Sequence, residues 1–233
     1  LDFLIVFGGE IMRLAAELAV ARANVYGFLA TCYLKKPSEW LTKLKKQGKF
    51  DLVGIFGTEG KNLQRQLNDC LSPCSRGKLQ HLDEEFHALF SVPGDKYLTP
   101  YESCYREKKL DGSWGNNWGC NTVEVQFLYK RAGATVLDEL GRLPDHFGVE
   151  LAFLEYLCLG EESSIRAGDF EQAGTYQRWQ RGFLNDHLLQ WSEEFLSRLE
   201  QCSEEELYFA IAAVTREFLI ADSSYLTAAT MEN

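Results

Sequence analysis

Apolar residues recur at three- and four-residue steps in window after window of this 233-residue chain, and no pair of neighbouring segments alternates apolar with polar. Such a chain can bury its apolar side chains only by packing helix on helix, so the expected fold is all-α in a single globular domain. Between residues 12 and 33, Leu14, Leu18, Val25, Phe28 and Leu29 sit among alanines at helical spacing, and the stretch stops before Pro37. Ser38 caps a short helix carrying Trp40, Leu41 and Leu44, which Gly48 ends. Residues 51–56, flanked by glycines and isolated, read as a loop or a further helical turn rather than a strand. After Ser72-Pro73-Cys74 and Gly77, the residues Leu79, Leu82, Phe86, Leu89 and Phe90 form one apolar stripe that ends before Pro93-Gly94.

Periodicity then vanishes over residues 93–120, where Pro100, Gly112, Gly115 and Gly119 mark a long loop holding Tyr97, Tyr101, Tyr105, Trp114 and Trp118. Helices are expected near 12–34, 79–91, 122–132, 144–160, 169–200 and 203–221. The fifth should kink near Gly182, and the last opens with Ser203 and Glu206 in capping-box spacing. The helical pattern begins at Met12, which reads as the natural start, with residues 1–11 an upstream extension. The domain then covers 12–233, with sub-regions about 12–120 and 121–233.

Composition narrows the function. Against 34 acidic residues stand 24 lysines and arginines, a formal charge of −10, and a phosphate-binding surface needs the opposite sign, so nucleic acid is not the expected partner. No apolar run approaches the ~20 residues of a membrane span; stretches such as 3–7 and 210–214 are far shorter. Seven scattered cysteines, Cys32, Cys70, Cys74, Cys104, Cys120, Cys158 and Cys202, are an odd number and fit reduced thiols in a cytoplasmic setting. Cys70 and Cys74, and likewise His146 and Glu150, stand four apart on helical faces, but neither C-x-x-C nor H-E-x-x-H occurs. No metal or other cofactor is therefore expected. With no G-x-S-x-G elbow and no phosphate loop, the four histidines His81, His87, His146 and His187 do not make a catalytic site, and the chain does not read as an enzyme. The loop aromatics, lacking a basic stripe, cover the core or line a groove for a protein segment.

Three segments carry more. Phe86, Leu89 and Phe90 make an apolar ridge in the run 86–93, and Pro100-Tyr101-Glu102-Ser103 follows beside it. In the run 143–150, Pro144 stands near a helix start with Asp145 in the first turn, where a carboxylate is favoured. A mere capping device is an equal reading of that element.

Together these segments resemble the TorD/DmsD-type family of cytoplasmic chaperones for redox-enzyme maturation. The family's aromatic-x-x-Leu-Phe-x-x-Pro run is similar to Phe86-x-x-Leu89-Phe90-x-x-Pro93, and its Pro-aromatic-Glu-Ser to Pro100-Tyr101-Glu102-Ser103. Its Pro-x-Asp-His element resembles Pro144-Asp145-His146 with Glu150, and Phe183-Leu184-x-x-His187-Leu188-x-x-Trp191 is a fourth likeness. Here Leu143 precedes Pro144, which adjoins Asp145 directly, whereas the family often has Glu-Pro-x-Asp-His; the Trp-rich stretch 112–119 has no counterpart.

The resemblance implies a helical chaperone that binds the twin-arginine leader of a molybdenum-containing oxidoreductase and delays export until the cofactor is inserted. A receptor for two arginines and an apolar stretch needs an apolar groove flanked by acids. The candidate peptide-binding residues are Phe86, Leu89, Phe90, Pro100, Tyr101, Glu102, Pro144, Asp145, His146 and Glu150. No residue pattern supports a nucleotide site, and monomer and dimer both fit. The alternatives are a nitrate-reductase-type assembly chaperone acting on a mature subunit, or a helical metal-dependent hydrolase using Cys/His groups near His146.

Overall fold

A computed structural model describes residues 2–47, 52–70, 76–136 and 141–231. Ten α-helices are seen among them: α1 (Asp2–Leu34), α2 (Pro37–Gln47), α3 (Leu52–Cys70), α4 (Arg76–Phe90), α5 (Glu102–Arg106), α6 (Cys120–Arg131), α7 (Phe147–Ala167), α8 (Phe170–Asp186), α9 (Ser192–Cys202) and α10 (Glu206–Met231). The only β-type pairing among the described residues is one isolated bridge, Tyr101 to His146. No described helix is long and apolar enough to cross a membrane.

The alanines of α1 serve its packing against α7. The two helices run antiparallel, with Leu34 beside Gly148, Gly27 beside Glu155, Arg22 beside Glu161 and Ala16 beside Ile165. Small side chains at a contact let helix axes approach. A β-carbon on Gly148 would collide with the Leu34 side chain and come within 3.2 Å of the Ala30 carbonyl. Gly168, with φ 76°, ends α7 in the left-handed region, and Asp169 caps α8 by accepting from the Gln172 amide at 3.0 Å.

Phe86, Leu89 and Phe90, expected to edge an open groove, are instead core residues, 3%, 0% and 2% exposed. The Phe90 ring meets those of Phe86, Tyr33, Phe195 and Tyr208 at 5.3–6.3 Å, and Tyr33 reaches Phe147 at 4.7 Å. Their ridge is apolar because it is the side of α4 that faces this aromatic cluster.

Other expectations shift. The segment 51–56, expected to be a loop or a further helical turn, belongs from Leu52 to the full helix α3, whose glycines dilute the pattern; its Leu63 is completely buried. The 169–200 helix breaks at residues 187–191 rather than at Gly182, where a 3-10 turn (Leu188–Gln190) separates α8 from α9. Ser203 accepts from the Glu205 amide at 3.1 Å, while Glu206 bonds Gln66 instead of closing a capping box. Helix α1 passes through Met12 without interruption. Cys74 lies outside the described residues, and Cys32, Cys104, Cys120, Cys158 and Cys202 are free thiols.

Candidate peptide-binding site

The chain after α4 doubles back, the Leu98 amide donating to the Leu89 carbonyl at 2.8 Å. This return lays Pro100-Tyr101-Glu102 against Asp145-His146-Phe147. The Glu102 amide donates to the Asp145 carbonyl at 3.0 Å, and the Phe147 amide to the Pro100 carbonyl at 2.8 Å. One Asp145 carboxylate oxygen accepts from the Ser103 amide at 3.1 Å, so Asp145 serves the N-terminus of α5, where a negative charge is favoured. It does not sit in the first turn of α7, as expected from Pro144. That helix starts at Phe147, and His146 is its N-cap, Nδ1 accepting from the Gly148 amide at 3.1 Å.

Three carboxylates converge behind this junction. Glu102, Asp145 and Glu150 are all 0% exposed. Glu102 faces His187 Nδ1 at 3.1 Å and Arg106, whose guanidinium also donates to the Asp186 carbonyl. Glu150 accepts from the Trp191 indole N–H at 3.1 Å. Asp145 Oδ1, His146 Nε2 and the Tyr105 hydroxyl lack a partner in this region, while the protonated Glu150 carboxyl lies within hydrogen-bonding reach of Glu102. Each such atom ordinarily costs ~1–3 kcal/mol. Burial, reinforced by the Glu102 and Asp145 charges, pushes the Glu150 carboxyl well above the usual range. Burial, with Arg142 nearby, depresses His146 to about 3. The neutral ring accepts at Nδ1 and therefore carries its proton on Nε2, a donor with no acceptor.

Tyr129 connects this cluster to the surface. Its hydroxyl donates to the Pro144 carbonyl at 2.9 Å, and burial followed by the Glu150, Asp145 and Glu102 charges raises its pKa. On one side of Tyr129 an apolar pocket of about 390 Å³ is walled by Val136, Val149, Ala152, Phe153 and Tyr156. On the other, a pocket of about 410 Å³ is walled by Trp118, Lys130, Arg142 and Pro144. The two share Tyr129, Ala134, Thr135 and Val136. A smaller pocket of about 190 Å³ opens beside Phe153, Trp179 and His187.

The structure thus brings together Pro100, Tyr101, Glu102, Pro144, Asp145, His146 and Glu150, all buried, and assigns Phe86, Leu89 and Phe90 to the core. Sequence reasoning left Arg106, Tyr129, His187 and Trp191 out of the site. The 183–191 likeness held the signal for two of them, since a histidine and a tryptophan kept four apart on the way out of a helix have buried polar tips to satisfy. Among the described residues no group of three His, Cys, Asp or Glu could hold a metal ion.

The family described as nitrate reductase delta subunit matches residues 57–197. The selenate reductase assembly chaperone protein of Thauera selenatis is 38% identical over 121 residues, 51% of this chain and 58% of that protein. The chlorate reductase assembly chaperone protein of Ideonella dechloratans is 44% identical with the same coverage. The match therefore spans only 58% of the length of these two relatives. Chaperone protein TorD of Colwellia psychrerythraea is 22% identical across 91% of this chain and 94% of its own. With more than half of its residues matched by the family and its relatives named as chaperones, the chain belongs to the nitrate reductase delta subunit family, the TorD-type group of redox-enzyme maturation chaperones.

Proposed function

We propose that this protein is a cytoplasmic, non-catalytic chaperone that binds the twin-arginine leader, or the unfilled form, of a molybdenum-containing oxidoreductase and assists cofactor insertion before export. The observation that carries the reading is the buried trio Glu102, Asp145 and Glu150, in which Asp145 Oδ1 has no partner and no cation meets Glu150 among the described residues, behind the Tyr129 wall of an apolar pocket. Carboxylates left this way cost stability, and a guanidinium with five N–H donors relieves that cost. In this reading one leader arginine reaches Asp145 and Glu150 past Tyr129 and Pro144, the apolar stretch fills the Val149–Phe153 pocket, and His146 Nε2–H donates to a peptide carbonyl.

The arginine draws Glu150 into its ionised form, so binding releases a proton. Calorimetry of a twin-arginine peptide in phosphate and in Tris should give enthalpies that differ by up to one ionisation per peptide, and Glu150→Gln should remove the difference. Asp145→Asn keeps an acceptor for the Ser103 amide but turns a donor toward the guanidinium; it should weaken binding about tenfold, ~1.4 kcal/mol. Binding without proton release, equally tight in both variants, would remove the carboxylates from the site. A second reading has support in the relatives named as assembly chaperones of selenate and chlorate reductases: recognition of the mature subunit. Equal capture of a client with and without its leader would favour that reading.

A further inference from the structure

We propose that the pocket at Trp118 is a seat for an acidic side chain of a client peptide whose apolar residues occupy the neighbouring pocket. The proposal rests on the reading of that apolar pocket as a peptide seat, and it does not need the leader's arginines. In a chain of net charge −10, the charged side chains that line this pocket among the described residues are Lys130 and Arg142. Neither cation meets a carboxylate among the described residues; Arg142 instead lies against the Tyr101 hydroxyl. An anion is the complement of such a lining.

The occupant is a peptide rather than a small ion because of how the two pockets adjoin. They share residues 134–136 and Tyr129 as lining, so one short extended segment lying across both places one side chain in each. One pocket is apolar and the other is basic, which selects a peptide with an acidic residue next to an apolar run.

The rim is also built. Trp118 holds φ 74°, a region that residues with a β-carbon avoid, and its side chain is 61% exposed. The turn behind it is tied down: the Glu107 carboxylate accepts from the Asn121 amide at 2.8 Å and from its side-chain N–H at 2.7 Å, and the Gly115 amide donates to the Cys104 carbonyl at 3.0 Å. An exposed indole fixed in an unfavourable backbone conformation at a pocket mouth is placed to cover a bound chain, and it gives the Trp-rich stretch 112–119 a role.

The test uses arginine-free probes: acetyl-Leu-Ala-Leu-Leu-Ala-Gly-Glu-Glu-amide, its reversed order, and the Gln-Gln counterpart of each, titrated calorimetrically into the intact chain. In at least one order the Glu peptide should bind about fivefold tighter than its Gln partner, the upper range for an exposed pair, and salt should erode the gap. Lys130→Glu, an exposed position, should abolish or invert the preference, and a Lys-Lys peptide should regain affinity for that variant. Glu and Gln peptides binding alike in wild type would overturn the proposal. So would a preference that survives in both Lys130→Glu and Arg142→Gln, since the acid would then sit elsewhere. Inorganic phosphate binding more tightly than the Glu peptide would make this a small-anion site and overturn it too. A twin-arginine peptide that fails to bind while these probes still discriminate would defeat the leader reading alone.

Discussion

Replacing Arg22 with methionine removes a guanidinium that three other helices share with α1. Its Nε and Nη2 donate to the two oxygens of Asp222 on α10, at 2.5 and 3.0 Å, and its Nη1 to Glu161 on α7 at 3.1 Å. Nη2 also donates to Gln180 on α8. Arg22 is 5% exposed, Asp222 3%, Glu161 1% and Gln180 0%, so water cannot replace the lost donors. Asp222 would keep only the Tyr26 hydroxyl at 2.6 Å, and Glu161 only the amides of Gln177 and Gln180. Removing one partner of a buried ion pair typically costs ~3–5 kcal/mol, a large part of the ~5–15 kcal/mol that holds a typical fold. With a urea m-value of about 3 kcal/mol/M, the unfolding midpoint should fall by roughly 1–1.7 M. The triple variant Arg22→Met, Glu161→Gln, Asp222→Asn buries no net charge and should recover more than half of the loss. A single-variant cost below ~1 kcal/mol, or no recovery in the triple, would refute the claim that these charges stabilise the fold only as a set.

Gly148→Ala should destabilise by ~1–3 kcal/mol through overpacking against Leu34, despite alanine's better helix propensity; Gly27→Ala, which meets only the movable Glu155 carboxylate, should cost less in the same urea assay. Leu89→Ala should cost ~2–5 kcal/mol, as a cavity in the core does, and leave peptide affinity of the remaining folded protein unchanged. Glu150 keeps its proton when folded over a pH range in which the unfolded chain has lost it, so it should draw stability down as pH rises above ~4.3. Unfolding at pH 5 and pH 8 should show a shallower decline for Glu150→Gln than for wild type. His146 works in the opposite sense: neutral when folded, it should cost stability as pH falls below ~6.5 toward about 3, and a flat profile across that window would place its ring in water.

Helical spacing alone determined that the protein is all-α, because a 3.6-residue period leaves no pleated face to pair, and it located α4 and α6 to within a few residues at both ends, while α1 starts ten residues before the expected 12 and α7 runs seven past the expected 160. It did not find α3, where glycines and polar residues interrupt the stripe, nor the break at residues 187–191, where no glycine or proline marks the turn. The order of motifs was enough to group Pro100, Tyr101 and Glu102 with Pro144, Asp145 and His146. Burial was decided only by tertiary packing. The Phe86-Leu89-Phe90 ridge has the same pattern whether it faces a partner or its own core, and it faces Tyr33, Phe195 and Tyr208. A carboxylate's place in a sequence likewise says nothing about whether water reaches it. Glu102, Asp145 and Glu150 are enclosed because α5, α7, the 187–191 turn and the return strand of the 91–101 loop close around one point, and that closure is a property of distant segments meeting, which no local period encodes.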